Sequence, residues 1–266
     1  MVPDIGNTGE ARQTRFITPE HCLRNRLNGQ EAPSWPLALL VFRDHLGSQA
    51  VLDAFDDPRS YAQRLLYNLT DPALPPTAFE VDIMGQTVLL MTRCVWGGPQ
   101  TAILVEELAC LGVPLILGCG AAGSIDPGLG RGAFVIAGDA LPTDGISRAY
   151  GAGTRQVGDP DLAATVAAAM RRLDREPVTV TAAAVDALYR ETPELIEEFR
   201  AQGGHVVNLE TSSLYTVAAA CGVRTVWFGF VTDCLVGEQW QDWYLDASDA
   251  ASVTGQLCRH VVEASL

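Results

Sequence analysis

Short apolar runs recur along the chain from residue 37 onward, and they are rich in Val, Ile, Leu and Ala. They carry little of the alternation between polar and apolar positions that marks a half-exposed strand. Such runs are typical of strands that are buried on both faces of a sheet. The predicted strands lie at residues 37–42, 87–95, 115–119, 133–137, 178–184 and 223–231.

Segments with helical periodicity lie between several of these runs. They are residues 100–111, 159–173, 192–202, 211–221 and 247–264. The helix at 192–202 has clear end signals, since Thr192 precedes Pro193 and Gly203 follows the last turn. Strands interleaved with helices in this way predict one α/β domain, with a largely parallel sheet covered by helices on both faces.

The first 36 residues differ from the rest of the chain. They are polar, contain four prolines and show no sustained period. This composition predicts an N-terminal arm over residues 1–36 and no core element there, followed by a single domain over residues 37–266. No internal repeat is present.

Charge and cysteine usage narrow the class of protein. The net charge of −14 would repel a phosphate backbone, so nucleic acid is not expected as a partner. The seven cysteines form no CxxC pair, and several lie within apolar runs, which predicts a reducing compartment and no metal site. Neither a signal peptide nor an apolar run of ~20 residues is present, so we expect a cytoplasmic protein without a membrane partner.

A glycine-rich segment, Gly118-Cys119-Gly120-Ala121-Ala122-Gly123, follows the predicted strand that begins at residue 115. A glycine-rich turn at the end of a strand lets a ligand approach the backbone closely. A dinucleotide site would require a helix to begin directly after this segment, but Asp126-Pro127-Gly128 follows instead. The segment therefore favours a ligand other than a dinucleotide.

Five further segments, taken in order with the glycine-rich one, form a pattern that can be compared with known families. They are residues 95–102, 144–147, 189–193, 207–215 and 231–233. In order and spacing the chain resembles the nucleoside phosphorylase/nucleosidase family, which includes purine nucleoside phosphorylases, uridine phosphorylases and methylthioadenosine nucleosidases. The resemblance implies a three-layer αβα sandwich around a twisted mixed sheet, assembled as a homo-oligomer, either a dimer or a hexamer. It also implies a small-molecule nucleoside as substrate and no cofactor, with phosphate as a candidate co-substrate.

The resemblance assigns Glu210 to the ribose hydroxyls and Leu209 to an apolar floor beneath the sugar. The alternative for Glu210 is a carboxylate that only favours the start of a helix. A carboxylate among apolar neighbours is costly to bury without a partner, which favours the sugar role. The other substrate contacts implied by the resemblance are Asn208, Trp96, Gly97, Ala121, Ala122, Gly123 and Tyr189.

Asp233 follows the last apolar run and matches the family aspartate that protonates or hydrogen-bonds the departing base. Such assistance typically contributes 10²–10⁴-fold to the rate. The alternative is an aspartate that only stabilises a turn. Trp240 lies shortly after it in a cluster with Trp243 and Tyr244. That cluster either stacks on a base or packs a lid against the core, and the sequence leaves both open.

The residues that would bind phosphate differ from the family pattern. The family loop similar to Gly-Asp-Pro-x-Arg is replaced by residues 43–47, Arg-Asp-His-Leu-Gly. Gly118 stands where a second phosphate arginine is usual, and Ala121 replaces a hydroxyl residue. Each lost charge-assisted hydrogen bond would be worth roughly 1.5–3 kcal/mol.

These departures favour cleavage of the N-glycosidic bond by water, with Asp44 or His45 activating it. One alternative is phosphorolysis with Arg43 and Arg93 relocated into the anion site, although both could equally be solvated surface residues. A second alternative is a protein that binds a nucleoside but does not cleave it. A third is an enzyme that acts on a modified nucleoside. Retention of both Glu210 and Asp233 argues against the binding protein, because binding alone needs no general acid.

Overall fold

One mixed sheet of ten strands organises the chain in the computed structural model, which describes residues 15–61, 75–95, 97–237, 239–242 and 247–266. The strands are β1 (Ala38–Phe42), β2 (Arg59–Ser60), β3 (Ala78–Ile83), β4 (Gln86–Met91), β5 (Leu115–Ser124), β6 (Phe134–Leu141), β7 (Gln156–Val157), β8 (Val178–Ala184), β9 (Val206–Asn208) and β10 (Arg224–Cys234). Their order is β10-β6-β8-β9-β5-β1-β4-β3-β2, and β7 pairs with β6.

Strand β10 pairs with β5 as well as with β6, so that β5, β9, β8, β6 and β10 close into a ring. Strand β5 runs parallel to β1 and β10 but antiparallel to β9. The prediction of a largely parallel sheet is wrong, because burial on both faces does not depend on the direction of the neighbouring strand. The mixed sheet implied by the family resemblance is confirmed.

Helices cover both faces of the sheet, which confirms the three-layer αβα architecture. They are α1 (Pro19–Leu27), α2 (His45–Leu52), α3 (Gly97–Cys110), α4 (Gly145–Ala149), α5 (Pro160–Arg172), α6 (Pro193–Ala201), α7 (Thr211–Cys221) and α8 (Ala247–Ser265). Helices α1, α3 and α7 pack with Leu40 on one face, while α2, α5 and α8 pack with Leu39 on the other. The predicted end signals of α6 are confirmed, since Thr192 accepts a hydrogen bond from the amide of Leu195 and Gly203 has φ +82°.

The glycine-rich segment is part of β5 and not a turn after it. Strand β5 continues to Ser124, five residues beyond the predicted end. Glycine is a poor strand former, which is why the sequence predicts a loop here. The packing explains the glycines, because a Cβ at Gly118 would lie 2.8 Å from Leu214 Cδ2 and 3.1 Å from Trp227 Cδ1. A side chain at Gly118 would require these neighbours to move.

Helix α1 lies within the predicted N-terminal arm and contributes to the core. Thr18 caps it by accepting a hydrogen bond from the amide of His21, and Leu23 and Leu27 are buried. Trp35, in the segment that leads to β1, is buried as well. The expectation of no core element before residue 37 is therefore wrong, because a short helix with two buried side chains has little periodicity. Residues 1–14 of the predicted arm lie outside the described residues.

The burial of α1 can be tested by truncating its central apolar side chain. Leu23→Ala should lower the free energy of unfolding by about 2–5 kcal/mol, the usual cost of this truncation in a core. Leu46→Ala is the matched control, because Leu46 is 73% exposed and its loss should cost less than ~0.5 kcal/mol. Urea denaturation measures both. Equal small effects would show that α1 does not belong to the cooperative core.

Candidate active site

The site is built around the start of α7. The side chain of Asn208 caps this helix, because its Oδ1 accepts hydrogen bonds from the amides of Glu210 (3.4 Å) and Thr211 (3.2 Å). Its Nδ2 donates to Thr211 Oγ1 at 2.7 Å. Asn208 was predicted to contact substrate. The hydrogen bonds of its side chain fix the backbone that carries Glu210, and its contact with substrate stays a prediction.

Glu210 places its carboxyl group in the interior, with 6% of the residue exposed. Oε1 accepts a hydrogen bond from Trp227 Nε1 at 3.0 Å, and Oε2 accepts one from the amide of Leu209 at 3.1 Å. Burial raises the pKa of Glu210 to about 8, although both hydrogen bonds act to lower it. Glu210 is the N-cap residue of α7, but its side chain makes no hydrogen bond that caps the helix.

A buried polar network holds α7 in place from behind. Asp144 caps α4 and accepts hydrogen bonds from Ser147 (amide 2.8 Å, Oγ 2.7 Å) and from Ser213 Oγ (2.9 Å). Ser147 Oγ also lies 2.7 Å from Ser212 Oγ. Burial alone would raise the pKa of Asp144, but these hydrogen bonds outweigh it and lower the pKa. An ionised carboxylate therefore ties α4 to the first turn of α7.

Gly97 and Leu209, both predicted as substrate contacts, pack against each other. Gly97 has φ +67°, and a Cβ there would lie 3.2 Å from Leu209 Cβ. Only glycine fits both the backbone conformation and the space. The start of α3 is thus brought against the residue that precedes Glu210. Trp96, also predicted as a contact, lies outside the described residues.

Asp233 stands at the end of β10 and is 8% exposed. Its Oδ1 accepts a hydrogen bond from Thr232 Oγ1 and its Oδ2 accepts one from Trp240 Nε1, both at 2.8 Å. Trp240 is 52% exposed, so it lies over the carboxylate at the surface. Its place within reach of Asp233 agrees with both sequence hypotheses for the aromatic cluster. Trp243 and Tyr244 lie outside the described residues.

Glu191 is a functional candidate that the sequence analysis missed. It is half-buried between a 3-10 turn at Leu188–Arg190 and the start of α6. Burial and, to a smaller extent, the negative charge of Asp233 together raise the pKa of Glu191 to about 7. Tyr189, the predicted contact in this segment, is 95% exposed. Nothing in the local sequence distinguishes Glu191 from a surface glutamate before a helix, so its site role was not predictable.

Strand β5 runs past both buried carboxyl groups. A Cβ at Gly120 would lie 2.8 Å from Glu210 Oε1, and one at Gly123 would lie 3.3 Å from Asp233 Oδ2. Three residues of an extended strand span roughly 10 Å. The two alanines between these glycines, which were predicted as substrate contacts, lie on the same stretch. The structure thus brings the carboxyl groups of Glu210 and Asp233 to one segment of β5.

The loop at residues 43–47 begins beside this segment, because Phe42 pairs with Gly120. Asp44 caps α2 by accepting a hydrogen bond from the amide of Gly47 at 2.8 Å. Asp44 and the following His45 are both exposed. The two residues predicted to activate water therefore lie at the end of β1 and are open to solvent.

The two candidate anion ligands differ in their contacts. The guanidinium of Arg43 lies 4.5 Å from the centre of the Phe230 ring, and its Nη1 is enclosed without a hydrogen-bond partner among the described residues. Arg93 Nη2 donates to the carbonyls of Pro75 (2.7 Å) and Pro76 (2.9 Å). Arg43 packs on an aromatic ring and Arg93 holds a neighbouring segment, so they do not form a solvated pair.

Two further properties follow from the described part of the chain. Its His, Cys, Asp and Glu side chains form no group of three or more that could hold a metal ion. None of its helices combines the length and the apolar character needed to cross a bilayer.

Comparisons with known proteins agree with this architecture. The family model of the phosphorylase superfamily matches residues 76–263, a range that contains Glu191, Glu210 and Asp233 but not the loop at 43–47. An uncharacterized protein of Acanthamoeba polyphaga mimivirus is 31% identical over 62% of this chain, which spans 65% of that protein, slightly under two thirds. Guanosine phosphorylase of Halorubrum lacusprofundi is 25% identical over 65% of this chain and 68% of its own. Uridine phosphorylase of Haemophilus influenzae is 27% identical over 60% of this chain and 68% of the length of that enzyme.

The burial of Glu210 predicts an unusual dependence of stability on pH. Its pKa is about 8 in the folded state and ~4.3 when unfolded, so between these values the folded protein holds the extra proton. The wild-type protein therefore loses stability as the pH rises through this window. Glu210→Gln removes the effect, so its free energy of unfolding relative to wild type should rise with pH and level off above about pH 8.

Urea denaturation at a series of pH values from 5 to 9 measures this difference. Glu198→Gln is the control, because Glu198 is exposed on α6 and its difference from wild type should stay flat. A flat profile for Glu210→Gln as well would show that Glu210 is already ionised at neutral pH.

Proposed function

The chain belongs to the phosphorylase superfamily, and we propose that it cleaves the N-glycosidic bond of a ribonucleoside with water as the attacking group. The observation that carries this proposal is the pair of buried carboxyl groups, Glu210 and Asp233, beside one segment of β5. On the basis of the family resemblance we also propose a cytoplasmic homo-oligomer, a dimer or a hexamer, that works without a metal or an organic cofactor.

Glu210 is suited to the sugar. Cleavage passes through an oxocarbenium-like ring, and contacts to the sugar hydroxyls strengthen as the ring gains positive charge. Each oxygen of Glu210 accepts one hydrogen bond from the protein and keeps further acceptor capacity. Two oxygens held at a fixed angle match two vicinal hydroxyls. Ionisation of Glu210 would also place a negative charge near the ring that develops positive charge.

Asp233 is suited to the leaving base. Its oxygens are oriented by Thr232 and Trp240, so the carboxylate is held in one position. Glu191 supports this assignment, because a carboxyl group with a pKa of about 7 can give up a proton at neutral pH. A departing base needs either a proton or a hydrogen bond, and this pair offers both.

The arginines favour water over phosphate as the attacking group. A phosphate dianion requires desolvation and several charge-assisted donors. The guanidinium groups of Arg43 and Arg93 are held by Phe230 and by backbone carbonyls. Asp44 and His45, at the exposed end of β1, are the candidates for positioning a water molecule.

Phosphorolysis is the second candidate, and the relatives favour it. The proteins compared above include a guanosine phosphorylase and a uridine phosphorylase. For phosphate to react here, Arg43 would donate to it through Nη1, which has no partner among the described residues, whereas Arg93 would have to leave the carbonyls of Pro75 and Pro76. These names also give no preference between purine and pyrimidine bases, so both classes belong in the test.

The reaction type is tested with a panel of purine and pyrimidine ribonucleosides, with and without added phosphate, and mass detection of the products. We expect free base and free ribose, at a rate independent of phosphate concentration. Glu210→Gln protein prepared in parallel controls for a contaminating activity. Ribose 1-phosphate formed at a rate that saturates with phosphate would establish phosphorolysis instead. Tight binding of a nucleoside without any product would indicate a binding protein.

Asp233 should act on turnover more than on affinity. Asp233→Asn keeps the shape and loses the charge, so kcat should fall by at least ~10²-fold while the nucleoside Kd changes only a few-fold. Asp161→Asn, on the exposed start of α5, is the matched control and should leave both values unchanged. Steady-state kinetics and equilibrium binding measure the two effects. Unchanged kcat in Asp233→Asn would remove this residue from the mechanism.

A further inference from the structure

We propose that Trp227 is a positioning residue for Glu210: its indole N–H holds Oε1, so that the carboxyl group meets the sugar in a single orientation. The part of this inference that concerns the sugar rests on the proposed function. The contact between the two side chains does not.

Trp227 is itself fixed on several sides. It is fully buried on β10, and its backbone amide donates a hydrogen bond to Tyr215 Oη at 2.9 Å. The Tyr215 hydroxyl in turn donates to the carbonyl of Ala137 on β6 at 2.5 Å. These contacts join β10, α7 and β6. The indole donor therefore has little freedom to move away from Glu210.

The glycines of β5 and β10 create the space for this indole. A Cβ at Gly118 would lie 3.1 Å from Trp227 Cδ1, and one at Gly120 would lie 3.1 Å from Trp227 Nε1. A Cβ at Gly229 would meet the backbone carbonyl of Gly120 first, and it would lie 3.0 Å from Trp227 Cη2. Contacts this short require the neighbour to move. The glycine-rich segment thus accommodates a Trp–Glu pair, a role different from the ligand-binding loop that the sequence predicts.

The hydrogen bond also acts on the charge of Glu210. Burial disfavours the ionised carboxyl group, and the N–H of Trp227 favours it. Cys94 is close enough to interact electrostatically with Glu210, but burial raises the pKa of this thiol to about 12, so it stays neutral. Removing the indole donor should therefore make Glu210 harder to ionise and leave its orientation less defined.

Trp227→Phe tests this, because it removes the N–H and keeps an aromatic ring. In the ligand-free protein, the pH midpoint of Glu210 ionisation should rise by about 1–2 units, the shift expected for loss of a hydrogen bond to a charged group. Infrared difference spectroscopy follows the carboxyl band, which is assigned by its absence in Glu210→Gln. For a nucleoside that turns over, the rising limb of kcat/KM against pH should move by the same amount.

Trp35→Phe is the matched control. Trp35 is also buried, and its Nε1 donates to Glu80 Oε1 at 2.9 Å, away from α7. The same substitution therefore removes the same kind of hydrogen bond elsewhere in the core. It should leave the Glu210 midpoint and the kcat/KM profile unchanged. A purely structural effect of losing a buried indole would appear in both variants.

A second measurement needs no change at Trp227. In wild-type protein, the NMR resonance of the Trp227 indole N–H should shift with the Glu210 midpoint, and this shift should vanish in Glu210→Gln. The inference is overturned if that resonance does not titrate, or if Trp227→Phe moves the midpoint no further than Trp35→Phe. A shifted midpoint in a protein that cleaves no nucleoside would refute the proposed function alone. Cleavage with an unshifted midpoint would refute the inference alone.

Discussion

A carboxyl group in the interior, held by two N–H donors, is the constraint on which the rest of this site depends. An unpaired polar group in the core is costly, so Glu210 requires donors whose positions do not change. One donor is the amide of the preceding residue and the other is an indole from a strand that is distant in sequence. Both hydrogen bonds form only when three elements are correctly placed: the start of α7, strand β10 and the glycines of β5.

The buried polar network of Asp144, Ser147, Ser212 and Ser213 also helps to hold Glu210 in position, because it anchors the first turn of α7. Asp144 accepts hydrogen bonds from its own helix and from Ser213 on α7, so the first turn of α7 is anchored at a charged group. Gly97 allows α3 to approach the backbone at Leu209. Close packing of this kind transmits small displacements, so residues packed behind Glu210 help to set its position.

Elements with a strong local signal were predictable, and contacts between distant segments were not. Helix α7 and strand β8 occupy the predicted ranges, because an apolar pattern alone defines them. Strand β5 was predicted too short, since glycine disfavours a strand unless a large neighbour needs the space. The burial of Glu210 could be anticipated from its apolar neighbours. Its partner Trp227 could not, because the contact exists only after β10 has joined the sheet.

The ring closed by β10 has a consequence for how the protein folds. The pairing of β5 with β10 joins segments that lie more than a hundred positions apart in the chain. Closing so long a loop costs entropy before any contact repays it, and topologies dominated by such pairings fold slowly. Asp233 and Trp227 arrive with this last strand, whereas Glu210 precedes it. Asp233 therefore joins the site only when β10 pairs with β5, and a chain that stops before β10 holds only Glu210.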